Sequence, residues 1–162
     1  MKGNANKMHK NTEAIVQRQV CDYLRYQYRG TIFRSDQAGV NQTSRYARGI
    51  STVLQSHRGY PDLFVAEPRG EFHGLYLELK ADGVRVWLKN GTLTTDKHIR
   101  EQADVLVKLR IKGYAAYFAR GFDEAKAIID WFMAGGTGKL DLQQGVLTTS
   151  LQVSNSDEGS AF

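Results

Sequence analysis

The chain has 162 residues, of which 41% are hydrophobic, and it carries a formal net charge of +5. A chain of this length typically forms one domain with a sizeable core. Its single cysteine, Cys21, excludes an internal disulfide and a cysteine-based zinc cluster, and with no signal peptide and no apolar run of about 18 residues we expect a soluble, cytoplasmic protein rather than a membrane protein.

The charge is unevenly distributed along the chain. Residues 1–60 contain ten lysines or arginines and three acidic residues, a net +7, whereas residues 61–162 contain twelve and fourteen, a net −2. A basic segment of this kind indicates an anionic partner such as a nucleic acid. A solvated basic face would have the same composition.

The first predicted element is a helix that begins at Asn11 or Thr12 and ends near Tyr28, after a disordered basic segment at 1–10. Apolar residues at helical spacing define its buried stripe: Val16, Val20, Tyr23, Leu24 and Tyr28. Glu13 lies in the first turn and projects from the same face as this stripe. An acidic side chain on the core-facing side of a helix requires a partner.

Three strands follow, predicted at 31–35, 62–66 and 74–80. The segment 36–60 between the first two is polar and basic, and we interpret it as a long loop with a short helical turn at 47–56. In the third strand Tyr76, Glu78 and Lys80 share one face, because side chains alternate along a strand. Glu78 and Lys80 are therefore expected to point into the same site.

The segment 84–94 contains Asn90-Gly91 between β-rich residues, which predicts a hairpin that extends one edge of the sheet. Trp87 in this hairpin could stack on a base or pack beneath the hairpin, and packing is favoured. The remaining predicted elements are a helix at 97–112 capped by Thr95 or Asp96, a strand at 114–119, a helix at 122–134, and a flexible tail at 135–162 with a short strand near 146–153. This order predicts an α/β fold with a mixed central sheet flanked by helices, in a domain spanning 11–134.

The candidate site consists of Asp62, which follows a proline at a strand start, and the run Glu78-Leu79-Lys80. Neither the Pro-Asp sequence nor the Glu-Leu-Lys run indicates a functional site by itself. Asp after Pro is common in turns, and an exposed Glu-x-Lys ion pair stabilises a protein by only ~0–1 kcal/mol. Together they can bind a hard divalent cation beside an ammonium group. The Leu79 carbonyl is a natural third protein ligand, and Glu13 could bind directly or through water. This set indicates a metal-dependent phosphodiesterase, in which Lys80 positions a water or stabilises developing charge.

Glu13, the run Gly-Tyr-Pro-Asp-Leu at 59–63, the run Glu-Leu-Lys at 78–80, and Gln102 in the apolar stripe of the later helix resemble the PD-(D/E)XK nuclease superfamily. Within it the chain is most similar to the VRR-NUC group. The resemblance implies a restriction-endonuclease-like core. It also implies Mg²⁺ or Mn²⁺ as cofactor and a set of site residues: Asp62, Glu78, Glu13 and the Leu79 carbonyl as metal ligands, with Lys80, Gln102 and Glu13 as catalytic residues.

The function implied by the resemblance is a structure-specific DNA endonuclease that acts on branched or double-stranded DNA as a homodimer, in a bacterial or phage-infected cell. The chain lacks a Val-Arg-Arg run; Val84-Arg85-Val86 is a partial match. One alternative is a non-catalytic DNA-binding module that uses basic residues on phosphates, namely Arg45, Arg48, Arg58 and Lys10. A second alternative is a sequence-specific restriction-type nuclease, although no separate recognition domain is visible.

Overall fold

The protein is described here by a computed structural model that covers residues 12–36, 59–137 and 140. Within this part, a mixed four-stranded sheet is flanked by helices, which confirms the predicted fold class. The elements are α1 (Glu13–Gln27), β1 (Phe33–Ser35), β2 (Leu63–Val65), β3 (Leu75–Lys80), α2 (Lys97–Ile111), β4 (Ala115–Arg120) and α3 (Gly121–Met133). None of the described helices is both long and apolar enough to cross a membrane.

The strands lie in the order β1-β2-β3-β4, and β3 is therefore an inner strand. β1, β2 and β3 pair antiparallel, whereas β3 and β4 pair parallel. α2 connects the two parallel strands, as a parallel pair requires. The register places Leu63 opposite Leu77, and Asp62, one residue earlier, consequently lies beside the C-terminal half of β3, where Glu78 and Lys80 are.

The two faces of β3 contact different parts of the core. Leu75, Leu77 and Leu79 are fully buried in a cluster that includes residues of α1 and α3. Tyr76 faces the opposite side, toward a second cluster formed largely by α2 and the segment 84–94. Because both faces are covered, every residue of β3 is buried, including Glu78 and Lys80.

The segment 84–94 folds back on itself but does not join the described sheet. Trp87 and Leu93 form an isolated antiparallel bridge, and the Leu88 N–H donates to the Thr92 carbonyl at 2.8 Å. Trp87 packs edge-to-face on Phe118, with ring centroids 6.1 Å apart, and Val86 is fully buried in the same cluster. The expectation that the hairpin extends a sheet edge is wrong, because its apolar residues cover a face of the sheet instead. Trp87 packs against Phe118 in the core, which is the alternative that the sequence favours over stacking on a base.

The ends of the helices follow local sequence. Asp96 caps α2, and its carboxylate accepts from the Ile99 N–H at 3.0 Å. Thr12 occupies the N-cap position of α1 without a side-chain capping bond. Several predicted features lie outside the described residues: the segment 1–10, the helical turn at 47–56, the strand near 146–153, and the basic residues Lys10, Arg45, Arg48 and Arg58. The domain limits 11–134 stay a prediction; Leu140, beyond them, packs against the core.

Candidate metal centre

Three carboxylates that are distant in sequence converge at one end of the sheet. Glu13 is the first residue of α1, Asp62 immediately precedes β2, and Glu78 lies in β3. One carboxylate oxygen from each lies within 4.8 Å of the other two. The β2–β3 register brings Asp62 to Glu78, and the packing of α1 across β3 brings Glu13 to both. The structure thus assembles all three predicted acidic residues, here called the acidic triad.

Asp62 is held by backbone hydrogen bonds on two sides. Its Oδ2 accepts from the Leu79 N–H at 2.9 Å. Its own carbonyl accepts from the Asp36 N–H at 2.8 Å and from the Ser35 hydroxyl at 3.1 Å. Because a strand residue directs its N–H and C=O to the same edge, the Leu79 carbonyl also faces the Asp62 side of β3. The predicted carbonyl ligand therefore lies on the edge that the triad occupies.

Glu78 is 1% exposed, and only one of its two carboxylate oxygens is satisfied. Oε1 accepts from Lys80 Nζ at 2.7 Å and from Gln102 Nε2 at 2.5 Å. Oε2 is buried and has no hydrogen-bond partner among the described residues. A buried carboxylate oxygen without a partner is costly, and a cation bound at this oxygen would remove that cost.

The electrostatics of the triad also favour a cation. The pKa of Glu78 is raised to about 8, chiefly by burial; the Asp62 charge contributes to the rise and Lys80 opposes it. The pKa of Asp62 is raised to about 6, chiefly by burial. The hydrogen bond from the Leu79 N–H opposes this rise, and the Glu13 charge adds to it. Both carboxyls resist ionisation because several negative charges share a dry site. Three oxygen donors with unbalanced charge fit a hard divalent cation such as Mg²⁺.

Lys80 completes the group of predicted residues at the centre. Its side chain is 7% exposed, and its ammonium contacts Glu78 Oε1. The contact shows that Glu78 and Lys80 share one strand face, as the alternation along β3 predicts. A buried ammonium beside an acidic triad can donate hydrogen bonds to a phosphate oxygen or to a water molecule.

Gln102 lies on the buried face of α2 and is 5% exposed. Its Nε2 contacts Glu78 Oε1, as described above, and also His98 Nε2 at 3.1 Å. Its Oε1 is buried without a partner in the described part of the chain. The predicted polar residue on the later helix is therefore next to the triad. Its catalytic role stays a prediction.

Two residues at the site were missed by the sequence analysis. His98 contacts Gln102, and Gln17, which is 7% exposed, donates to Ser35 Oγ at 2.6 Å and to the Asp36 carbonyl. Gln17 thereby links α1 to residues 35 and 36, which donate hydrogen bonds to the Asp62 carbonyl. Each lies four residues from a predicted site residue on the same helix, Gln17 from Glu13 and His98 from Gln102. Residues at this spacing share a helix face, and this spacing is the signal that could have identified them.

Gly59, the first residue of the Gly-Tyr-Pro-Asp-Leu run, lies directly against Gln102. Its φ is +78°, and a Cβ added there would meet the Gln102 backbone nitrogen at 3.0 Å and its Cα at 3.1 Å. Both the left-handed conformation and the close approach require glycine. The run therefore packs against α2 at Gly59 and supplies the Asp62 carboxylate three residues later.

Gly59→Ala should consequently destabilise the protein by about 1–3 kcal/mol more than the same change at an uncrowded left-handed glycine. Gly91 is the matched control, because its φ is +76° and nothing lies within 4 Å of its added Cβ. Urea unfolding of both variants measures the difference. Equal losses would show that contact with Gln102 does not constrain position 59.

Comparisons with known proteins support the fold. No known family profile matches the chain, and no curated protein sequence matches it. A solved structure described as a "VRR_NUC domain protein" is similar to it, with a TM-score of 0.55 and 24% sequence identity. The similarity covers 86% of this chain and 99% of that chain. At this identity the similarity establishes a VRR-NUC-like fold for the chain.

Proposed function

We propose that the chain is a Mg²⁺- or Mn²⁺-dependent nuclease that hydrolyses phosphodiester bonds in DNA. The observation that carries the proposal is the unpartnered Oε2 of Glu78, buried within the acidic triad and beside Lys80. Leaving a buried carboxylate oxygen without a donor is costly, and a bound cation removes that cost. The fold similarity to a VRR_NUC domain protein supports the same class of function.

The ligands in this proposal are the carboxylates of Asp62, Glu78 and Glu13 and the carbonyl of Leu79. They are all oxygen donors, which Mg²⁺ and Mn²⁺ prefer. The cation, when bound, supplies Lewis-acid polarisation of a phosphoryl oxygen and lowers the pKa of a coordinated water. The two donors on Glu78 Oε1 leave Oε2 as the free oxygen of that carboxylate.

Lys80 is the catalytic residue that the chain itself contributes. Its contact with Glu78 holds the ammonium at a buried position, where its charge is screened less than in water. From there it donates a hydrogen bond to the attacking water or to the phosphoryl oxygen on which negative charge develops. Gln102 Oε1 is a buried acceptor without a partner among the described residues, next to Glu78, and can accept a hydrogen bond from the same water. This bond orients the water for attack.

We further propose branched or double-stranded DNA as the substrate and a homodimer as the active form. The net +7 of residues 1–60 supports an interaction with a polyanion. In this proposal Arg45, Arg48, Arg58 and Lys10 contact phosphates. A dimer would present two sites for two strands. A non-catalytic DNA-binding module is less favoured, because carboxylates that face DNA would weaken a protein that only binds it.

A panel of labelled branched, nicked and linear DNAs tests the proposal. We expect cleavage in Mg²⁺ or Mn²⁺, with branched DNA cut fastest, and none in EDTA. Asp62→Asn should remove cleavage while DNA binding persists, whereas Asp104→Asn, at an exposed position of α2, should cleave as the wild type does. Binding to these DNAs without cleavage of any of them would instead favour the non-catalytic module.

A further inference from the structure

The amide of Gln102 is anchored at both of its nitrogen-bound hydrogens. Nε2 lies 2.5 Å from Glu78 Oε1 and 3.1 Å from His98 Nε2. The amide presents its nitrogen to Glu78 Oε1 and leaves its own oxygen without a partner among the described residues. The second N–H then points to His98, whose Nε2 accepts. His98 Nε2 is therefore the second anchor of the Gln102 amide.

The position of His98 is fixed by the first turn of α2. His98 is the second residue of the helix and lies one turn before Gln102, and the two therefore share a helix face. The Asp96 cap on the Ile99 N–H, at 3.0 Å, secures this turn. His98 as a whole is exposed. The imidazole thus extends a chain of contacts from buried Glu78 through Gln102 to the protein surface.

This chain of contacts determines which oxygen of Glu78 is free. Lys80 and Gln102 both donate to Oε1, and Oε2 has no partner among the described residues. If Gln102 lost its second anchor, its amide could rotate, because its own Oε1 has no partner that would resist the movement. Glu78 Oε1 would then keep only the hydrogen bond from Lys80, and the carboxylate could turn relative to the other acids of the triad.

We propose that His98 is a positioning residue for the Glu78 carboxylate and acts through Gln102. The inference rests on the proposed function in one respect, namely that the acidic triad binds a divalent cation. His98 itself contacts neither the triad nor Lys80 in the hydrogen bonds of the site. Its effect should therefore be visible in cation affinity, before any DNA is added.

The test is calorimetric titration of the DNA-free protein with Mn²⁺. We expect His98→Leu to weaken Mn²⁺ binding roughly 10-fold, the lower end of the loss on removing a direct partner of a metal ligand, because His98 acts one residue further out, through Gln102. His98→Gln should restore binding to near the wild-type value, because the glutamine carbonyl can accept the same N–H at a similar reach. Lys97→Leu is the matched control, since Lys97 is in the same turn and its side chain is 91% exposed.

A double-mutant cycle separates action through Gln102 from a general loss of structure. Gln102→Leu should weaken Mn²⁺ binding, and adding His98→Leu to it should cause no further loss, since the two residues act as one unit. Additive losses would overturn the proposed route through Gln102. If His98→Leu binds Mn²⁺ as tightly as the wild type, the proposed role of His98 is overturned and the proposed metal site is not. Absence of Mn²⁺ binding by the wild type would overturn the proposed metal site, and this role with it.

Discussion

Lys80→Met should reduce the rate of DNA cleavage by at least about a hundredfold, a loss typical of removing one charge-stabilising donor from an active site. Methionine retains most of the apolar volume of the lysine stem but removes the ammonium that contacts Glu78 Oε1 at 2.7 Å. DNA binding should persist, because Lys80 is buried and is not among the basic residues proposed to contact phosphates. Single-turnover cleavage of labelled branched DNA at saturating Mn²⁺, with binding measured by fluorescence anisotropy, provides both quantities.

Lys97→Met is the appropriate control for this experiment. Lys97 carries the same charge, but its side chain is 91% exposed and its ion pair with Glu101 spans 4.0 Å. We expect it to cleave DNA as the wild type does. Mn²⁺ titration of Lys80→Met shows whether the triad is still assembled, since an unfolded variant would bind neither metal nor DNA normally. A wild-type cleavage rate in folded Lys80→Met would exclude lysine from the mechanism.

The parts of the fold that depend on local pattern could be predicted from the sequence. The helix predicted at 97–112 is found at Lys97–Ile111 with Asp96 as its cap, because apolar spacing and capping act within one or two turns. The shared face of Glu78 and Lys80 follows from the two-residue period of a strand. Both features are properties of short segments, and neither depends on how distant segments pack.

The parts that depend on packing between distant segments could not be predicted in the same way. Val86 and Trp87 have the composition of a sheet strand, but they instead cover the face of the sheet beside Phe118. Gln17 and His98 are ordinary polar residues in the sequence. Gln17 becomes part of the site only because α1 packs against the segment that holds Ser35 and Asp36. The proximity of Glu13 to Asp62 depends on the same packing. The sequence indicated only that Glu13 lies on the buried face of its helix and requires a partner, and the family resemblance added its role at the site.

The free energy of unfolding of the metal-free protein should fall as the pH rises from about 5 to about 9, and Glu78→Gln should remove most of this fall. Burial raises the pKa of Glu78 to about 8 from 4.5. The folded state therefore binds more protons than the unfolded state between these values. The resulting stabilisation is fully present below pH 4.5, the pKa of Glu78 in the unfolded chain. It is lost as the pH rises through about 8, the pKa of Glu78 in the folded protein. At about 1.4 kcal/mol per pKa unit, a rise from 4.5 to about 8 sets an upper limit of about 5 kcal/mol on the loss, which urea unfolding in EDTA can measure.

A divalent cation should stabilise the protein more at high pH than at low pH, which is opposite to the trend of the metal-free protein. Mn²⁺ competes with protons for the same carboxylates, and its stabilising effect should therefore grow as the pH rises and more of the triad is ionised. In Glu78→Gln the charge of one ligand is gone, and Mn²⁺ should raise the unfolding free energy little at any pH. Asp104→Asn, at an exposed position outside the triad, should retain both trends. An unfolding free energy of the metal-free wild type that does not change with pH would contradict the raised pKa of Glu78. Equal stabilisation of wild type and Glu78→Gln by Mn²⁺ would show that the cation binds elsewhere.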